Sequence, residues 1–467
     1  METRLLLSTI VLTGVAGAVA LRVRGRVRLS ATQGDTACCS EKAQKSASAA
    51  TSCCTPRATP HGVATAAPST NGRTVVIGAG PIGMAAAAHL LERGIETIVL
   101  ERGAHPGSTV KEWAHVQFFS DWGSLLDGAS VRRLQAAGWT TPDTAAFPTG
   151  GEFVRRYLDP LAATLPPGVL RLHHRVSAIS REGLDKVVSR GREDVPFLVR
   201  CETPDGPIEL GCDNVIDASG TWTSPSPIGA SGLTATGEVE LTASGRLEYG
   251  MPDVLGAKRA RYAGARTLVV GAGHSAAGVL LDLVSLRKSA PATAAVWGLR
   301  RPTPSRAYGA LGKDSLEKRG NIGKGLKVAV EGGDLQLLTS FRLLGLAPKG
   351  GGVEVTYRSG GDEPQTMHVD RIVACTGQRP DLSITRELRL DLDPWLEAPR
   401  ALAPLIDPNE HSCGTVPPHG IDEVRVSSPC SPPLLLPRPC CNTASLLCSL
   451  RASLHQICLF LPRLHPD

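Results

Sequence analysis

Two glycine-rich turns about 190 residues apart each join an apolar strand to an apolar helix. The first reads Val75-Val76-Ile77-Gly78-Ala79-Gly80-Pro81-Ile82-Gly83 and runs into Met84–Leu91. The second reads Leu268-Val269-Val270-Gly271-Ala272-Gly273-His274-Ser275-Ala276 and runs into Ala277–Leu286. In this pattern the first glycine makes the tight turn and the second lets the backbone approach a pyrophosphate. The third, or an alanine, lets the helix pack close, with its N-terminus facing the phosphates. One copy alone is a weak signal, and the flanking strand and helix give it meaning. Two such units predict two dinucleotides: a bound flavin, and a nicotinamide that delivers hydride to it.

The residues ending the next strand distinguish the two copies. After the first, Gly94-Ile95-Glu96-Thr97-Ile98-Val99-Leu100 leads to Glu101, 23 residues past Gly78, with Arg102 beside it. A carboxylate there accepts hydrogen bonds from a ribose diol, so this copy predicts an unphosphorylated adenosine, FAD or NAD. After the second, Ala294-Ala295-Val296-Trp297 leads into Gly298-Leu299-Arg300-Arg301 without an acid. Guanidinium groups match a 2′-phosphate in charge and geometry, which predicts NADPH. The bland alternative is a solvated strand end.

These turns need elements to hold them, and the chain has room. Its 467 residues suffice for two or three domains. Fifty glycines and 4% aromatics suit a turn-rich α/β protein packed with small residues. The formal charge of +6 is modest, and no basic run is interleaved with aromatics, so nucleic acid is not a predicted partner. No long apolar run interrupts the body of the chain.

The N-terminus differs. Leu5–Leu21 is apolar apart from Ser8, Thr9 and Thr13, with Arg4 before it and Arg22, Arg24, Arg26 and Arg28 after it. It is long for a signal core and short for a span, so residues 1–29 read as a cleaved signal or a membrane anchor. Residues 30–71 are rich in Ser, Ala and Thr and poor in acids, the composition of a disordered linker or a transit peptide. The expected location is therefore at a membrane or in an organelle, endomembrane or plastid. Cys38-Cys39 and Cys53-Cys54 in this stretch could capture a soft metal or metalloid, form a disulfide, or be incidental. No C-x-x-C occurs anywhere, and Cys201, Cys212, Cys375 and Cys413 read as small buried hydrophobes.

Between the turns, Gly151–Leu165 has helical spacing with Phe153, Tyr157, Leu158 and Leu161 on one face, and Pro160 predicts a kink or a shortened helix. Strands are expected at Leu170–Ile179, Phe197–Cys201 and Ile208–Leu210. Two further apolar strands end in small residues, Asp217-Ala218-Ser219-Gly220 and Ala374-Cys375-Thr376-Gly377, where backbone could pass close to a cofactor. A mobile loop is expected over Pro302–Lys324.

From Arg73 to Glu423 the chain resembles two-dinucleotide-binding flavoproteins of the flavin-containing monooxygenase type, especially their bacterial relatives. The resemblance implies that Gly78, Gly80, Gly83 and Glu101 contact FAD phosphates and ribose, with Pro81 and Ile82 in the same turn, and that the Val176 backbone meets adenine. Ser219-Gly220 and Thr376-Gly377 match the strand ends that separate FAD from NADPH segments. Gly271, Gly273, His274, Ser275 and Ala276 match the NADPH turn, Arg300 the 2′-phosphate contact with Arg301 beside it. Trp113–Trp122 occupies the stretch that lies against the isoalloxazine ring. The implied architecture is α/β, with two Rossmann-like dinucleotide-binding domains and the NADPH domain inserted in the FAD domain. The expected boundaries are 72–250 and 346–406 for FAD and 262–345 for NADPH.

Two features depart from that pattern. The F-x-G-x-x-x-H fingerprint of many such monooxygenases is missing. Beyond Val424 the chain has many prolines and leucines, five cysteines and no glycine, so residues 407–467 read as an atypical, read-through-like tail. The expected activity is an FAD- and NADPH-dependent monooxygenase acting on a small molecule with a soft sulfur, nitrogen or metalloid centre. The alternatives are an NADPH-dependent reductase of a quinone, disulfide or metal ion, or a degenerate thiol-rich metal-binding chain. His115 and His274 lie near the cofactor segments, as acid–base groups or as ordinary packed histidines. No catalytic residue and no metal site is assigned.

Overall fold

The computed structural model describes residues 19–22, 72–309, 317–401 and 403–405. Each glycine turn follows an inner strand of its own sheet. The first sheet contains β1 (Val19–Arg22), β2 (Thr74–Ile77), β3 (Thr97–Leu100), β4 (Leu170–Arg171) and β8 (Asn214–Asp217), in the order β1-β8-β2-β3-β4. All pairs are parallel except β1 with β8. Strands β2 and β3 are buried along their whole length, which is why they read as unbroken Val, Ile, Leu and Thr rather than alternating. An antiparallel sheet of β5 (Arg175–Arg181), β6 (Phe197–Thr203) and β7 (Gly206–Cys212) stands beside it.

The second sheet is wholly parallel, in the order β12-β11-β10-β16-β9. Its strands are β9 (Leu247–Tyr249), β10 (Arg266–Val270), β11 (Ala294–Gly298), β12 (Gln336–Leu338) and β16 (Arg371–Ala374). Strands β13 (Arg342–Lys349), β14 (Gly352–Arg358) and β15 (Gln365–Val369) form its own antiparallel sheet. The second sheet thus takes in β9 and β16, both outside the 262–345 limits expected for it. Their composition marks them as strands, but partner choice is a tertiary matter that local sequence does not carry.

Two segments connect the halves and are bonded to each other where they cross. Ser226 N–H donates to the Gly377 carbonyl at 2.7 Å, and Arg379 N–H to the Ser224 carbonyl at 3.0 Å. Thr376 Oγ1 adds a bond to the Ser226 carbonyl at 2.5 Å.

Near Pro160 helical turns at Gly150–Phe153 and Asp159–Ala163 flank a π-helical stretch at Val154–Leu158, and the helix ends at Ala163, two residues before Leu165. The strand expected over Leu170–Ile179 is split into β4 and β5, with His173 between them at φ 58°. Lys318–Lys324, expected in a loop, lies in a helix over Glu317–Glu331. Of the apolar N-terminal segment only Val19–Leu21 is described, and it lies in β1. Among the described residues no helix is long and apolar enough to cross a membrane. The rest of that segment, the cysteine-pair linker and the tail from residue 406 lie outside the described residues.

Candidate functional site

The helix after the first turn, α1 (Pro81–Glu92), begins without a side-chain cap and with no acid in its first turn. Gly80 is its N-cap residue and Pro81 opens it. By contrast Asp121, Asp127 and Thr149 each cap their own helix by accepting a backbone N–H. The free N–H groups of α1 and its dipole therefore favour an anion. The glycines divide the labour. At Gly78, with φ +94°, a Cβ would lie 2.6 Å from the Ala218 carbonyl oxygen, and at Gly83 it would lie 1.9 Å from that of Gly78. At Gly80 it would meet nothing within 4 Å. Gly78 and Gly83 serve close packing, and Gly80 leaves room for a ligand.

Glu101 follows β3 and is buried. Its Oε2 accepts the Ala79 N–H and its Oε1 the Gly103 N–H, each at 2.8 Å. Both oxygens retain a lone pair for a ribose hydroxyl. Arg102 is exposed next to it. His174 N–H donates to the Glu101 carbonyl at 2.8 Å, which places Val176, at the start of β5, close to the same end of the sheet. Ala218 N–H bonds the Ile77 carbonyl at 2.9 Å, so Ser219 and Gly220 leave β8 beside the turn. Glu101, Ser219 and the first glycine turn are thus brought together.

The second turn repeats this geometry. Its helix, α2 (His274–Arg287), is N-capped by Gly273 without a side-chain cap or a first-turn acid. Gly271 has φ +147°, and a Cβ on it would lie 2.2 Å from the Cys375 carbonyl oxygen, whereas one on Gly273 would meet nothing within 4 Å. Ser275 follows in the first turn of α2, and Ala276 stands fully buried where Gly83 stands in the first copy. Gly78 N–H bonds the Leu100 carbonyl and Gly271 N–H the Gly298 carbonyl, which aligns the two copies. In that alignment buried Leu299 takes the place of Glu101, and Arg300 that of Arg102. A buried acid is replaced by a hydrocarbon followed by cations. The Arg301 pKa is lowered by burial and by the charges of Arg306 and Arg300. Arg306, which sequence spacing did not single out, therefore belongs to the same positive patch. Thr376 and Gly377 leave β16 behind this turn and lie in the crossing segment.

Between the two turns lies the Trp113–Trp122 stretch. Trp113 is buried against Phe118 and Trp222, with ring centroids 5.3 and 6.3 Å away. Trp222 Nε1 donates to Glu112 Oε2 at 2.6 Å. Phe119 meets His274 edge-on at 5.4 Å, so the stretch touches both halves. Burial, only partly offset by Asp253, lowers the His115 pKa and so favours the neutral ring. Thr221 Oγ1 and Gln378 Oε1, one in each crossing segment, are buried without a hydrogen-bond partner among the described residues. Among those residues no group of three His, Cys, Asp or Glu side chains could hold a metal.

One titrating group here carries a stability prediction. Burial, and secondarily Asp253, raises the Asp282 carboxyl on α2 to about 6. An acid raised above its unfolded value opposes folding once it ionises, fully above its folded pKa and not at all below the unfolded one. Asp282→Asn should therefore raise the melting temperature at pH 8. The advantage should shrink through pH 6 and vanish near pH 4, as read by thermal melts across that range.

A family description, NAD(P)-binding Rossmann-like domain, matches residues 76–130. Among solved structures the chain is similar to the bacillithiol disulfide reductase Bdr (YpdA) from Bacillus cereus. The two are 19% identical, with a TM-score of 0.52, over 69% of this chain and 83% of that one. It is also similar to DfoA from Erwinia amylovora, a cadaverine monooxygenase of desferrioxamine biosynthesis solved with FAD. That match has 16% identity and a TM-score of 0.50, over 70% of this chain and 83% of that one. At these identities the likeness shows the fold, α/β with Rossmann-like dinucleotide-binding units. No curated protein matches the sequence significantly. The reductase and the monooxygenase share this fold, so fold does not choose between their chemistries.

Proposed function

We propose that the chain is an FAD- and NADPH-dependent oxidoreductase, with FAD at Gly78–Gly83 and Glu101 and NADPH at Gly271–Ala276 and Arg300–Arg301. The observation that carries this reading is the pair of uncapped helix N-termini, each behind a glycine facing open space, with an acid beside one and cations beside the other. The orphaned Thr221 Oγ1 and Gln378 Oε1 fit a polar ligand between the crossing segments. A bound flavin would supply the electron relay between NADPH and an acceptor. The chain's own groups bind and orient: the α1 and α2 termini hold phosphates, Glu101 holds a ribose, and the aromatic Trp113–Trp122 stretch shields the space between the sites.

For the acceptor we favour dioxygen, with oxygen transfer to a small soft nucleophile. The thiols of Cys201, Cys212 and Cys375 are buried one by one and pushed up to about 11, 12 and 12, which leaves no reactive cysteine among the described residues for disulfide exchange. The missing F-x-G-x-x-x-H favours the second reading, reduction of a quinone or metal ion. Turnover in air with NADPH and thioether, amine or metalloid probes separates them by mass spectrometry. A product heavier by one oxygen supports the first reading; NADPH consumption with a reduced quinone and no such product supports the second.

Replacing both Arg300 and Arg301 by alanine should raise KM for NADPH about 10- to 100-fold, the loss of one or two charge-assisted hydrogen bonds. KM for NADH should move little. Equal weakening of both coenzymes would contradict the placement of the 2′-phosphate.

A further inference from the structure

The second half of the molecule also touches the first through a side chain that no glycine turn accounts for. The helix α3 (Glu317–Glu331) packs along α2, with Leu326 and Ala329 buried. It is pinned at Gly323, where a Cβ would lie 2.1 Å from the Tyr308 carbonyl oxygen. Its Lys318 reaches away from that half. The Nζ donates to Gln117 Oε1 at 2.9 Å and stands 4.2 Å from the centroid of the Phe147 ring. Gln117 is fixed in turn, since its Nε2 donates to the Phe147 carbonyl at 3.0 Å and its backbone bridges to Thr149. Gly150 and Gly151 N–H groups bond the Val116 and Ala114 carbonyls at 2.9 Å, and Thr149 closes a capping box with Glu152. The ammonium thus meets a preset ribbon, 114–118 against 147–151, rather than loose side chains. Phe119, two residues beyond Gln117, meets His274 of the second turn.

We infer that Lys318 is a positioning residue: it registers the second half against this ribbon and so sets how a nicotinamide on Gly271–Ala276 faces a flavin on Gly78–Gly83. The catalytic consequence rests on the proposed cofactor assignment; the registration does not. Both attachment groups are neutral, a ring face and an amide oxygen, so the hold is a moderate one. Removing it should shift the balance between docked and undocked ribbon about tenfold.

Lys318→Met keeps the aliphatic stem and removes the charge, and Lys318→Arg restores a cation. Hydrogen exchange at residues 116–119 and 147–149 reads the ribbon without any cofactor. The expected result is about tenfold faster exchange there in Lys318→Met, unchanged exchange in β2 and α1, and near wild-type exchange in Lys318→Arg. In flavin-loaded protein the same Met variant should slow reduction by saturating NADPH while the Kd for NADPH stays unchanged. Unchanged ribbon exchange overturns the inference, as does an equal rise throughout the first half, which would signal general loss of stability. Wild-type protein that never reduces flavin, yet shows the ribbon effect, sinks the cofactor assignment and supports the registration.

Discussion

Gly80→Ala and Gly83→Ala are expected to fail in opposite ways. A methyl at Gly80 projects into open space, so the protein should purify folded, with the far-UV spectrum of the wild type, and without flavin. Its methyl would stand where the backbone must approach a pyrophosphate. A methyl at Gly83 lies 1.9 Å from the Gly78 carbonyl oxygen, a backbone atom that cannot swing aside. The cost should reach or pass the ~3 kcal/mol upper end of ordinary overpacking, and the first half should unfold or purify as aggregate. The second turn already carries Ala276 at that place, so the constraint belongs to this turn and not to the motif in general. Flavin absorbance and circular dichroism on the two variants check the pair. A yellow Gly80→Ala protein would contradict the site.

The second large effect is expected at Asp127, in a buried network that anchors α1. Asp127 is fully buried and accepts from His89 Nε2 of α1 at 2.9 Å and from the Ser130 N–H and Oγ at 2.8 Å. Burial alone would raise its pKa, but the His89 bond and charge and the two Ser130 bonds together outweigh it and hold the carboxyl below the usual value. Asp127→Ala removes the buried carboxylate that ties His89 of α1 to the Ser130 N–H and Oγ and should cost about 3–5 kcal/mol, seen as a lower first transition in denaturant. A depressed folded pKa contributes stability that is present above the unfolded value, near 4, and lost as pH falls through the folded one. The wild-type advantage over Asp127→Ala should therefore persist at neutral pH and fade in acid.

His89 and Asp127 were invisible in the sequence, and the reason is general to this chain. They are 38 residues apart and meet only because α1 packs on a later helix. The two glycine turns were legible because every part of that unit is local: apolar strand, turn, helix, and an acid or its replacement one strand later. Glu101 and the Arg300–Arg301 pair belong to the same local pattern. Leu299 needed the alignment of Gly271 with Gly298, a backbone bond across strands, to be read as the counterpart of Glu101. Strands β9 and β16 were recognisable as strands, yet only pairing reveals that both complete the second sheet. Lys318 sat in a stretch that composition marked as loop, since basic and small residues hide the helix that buried Leu326 and Ala329 stabilise. Local chemistry was written in the sequence, and long-range contacts were not.

The central claim is that one chain carries both a flavin and the nicotinamide that reduces it. Anaerobic stopped-flow mixing of purified, flavin-loaded protein with NADPH tests it most directly. The visible flavin band should bleach in a single turnover, faster with NADPH than with NADH, and this preference should disappear when Arg300 and Arg301 are both replaced by alanine. A flavin band unchanged by either coenzyme would contradict the account.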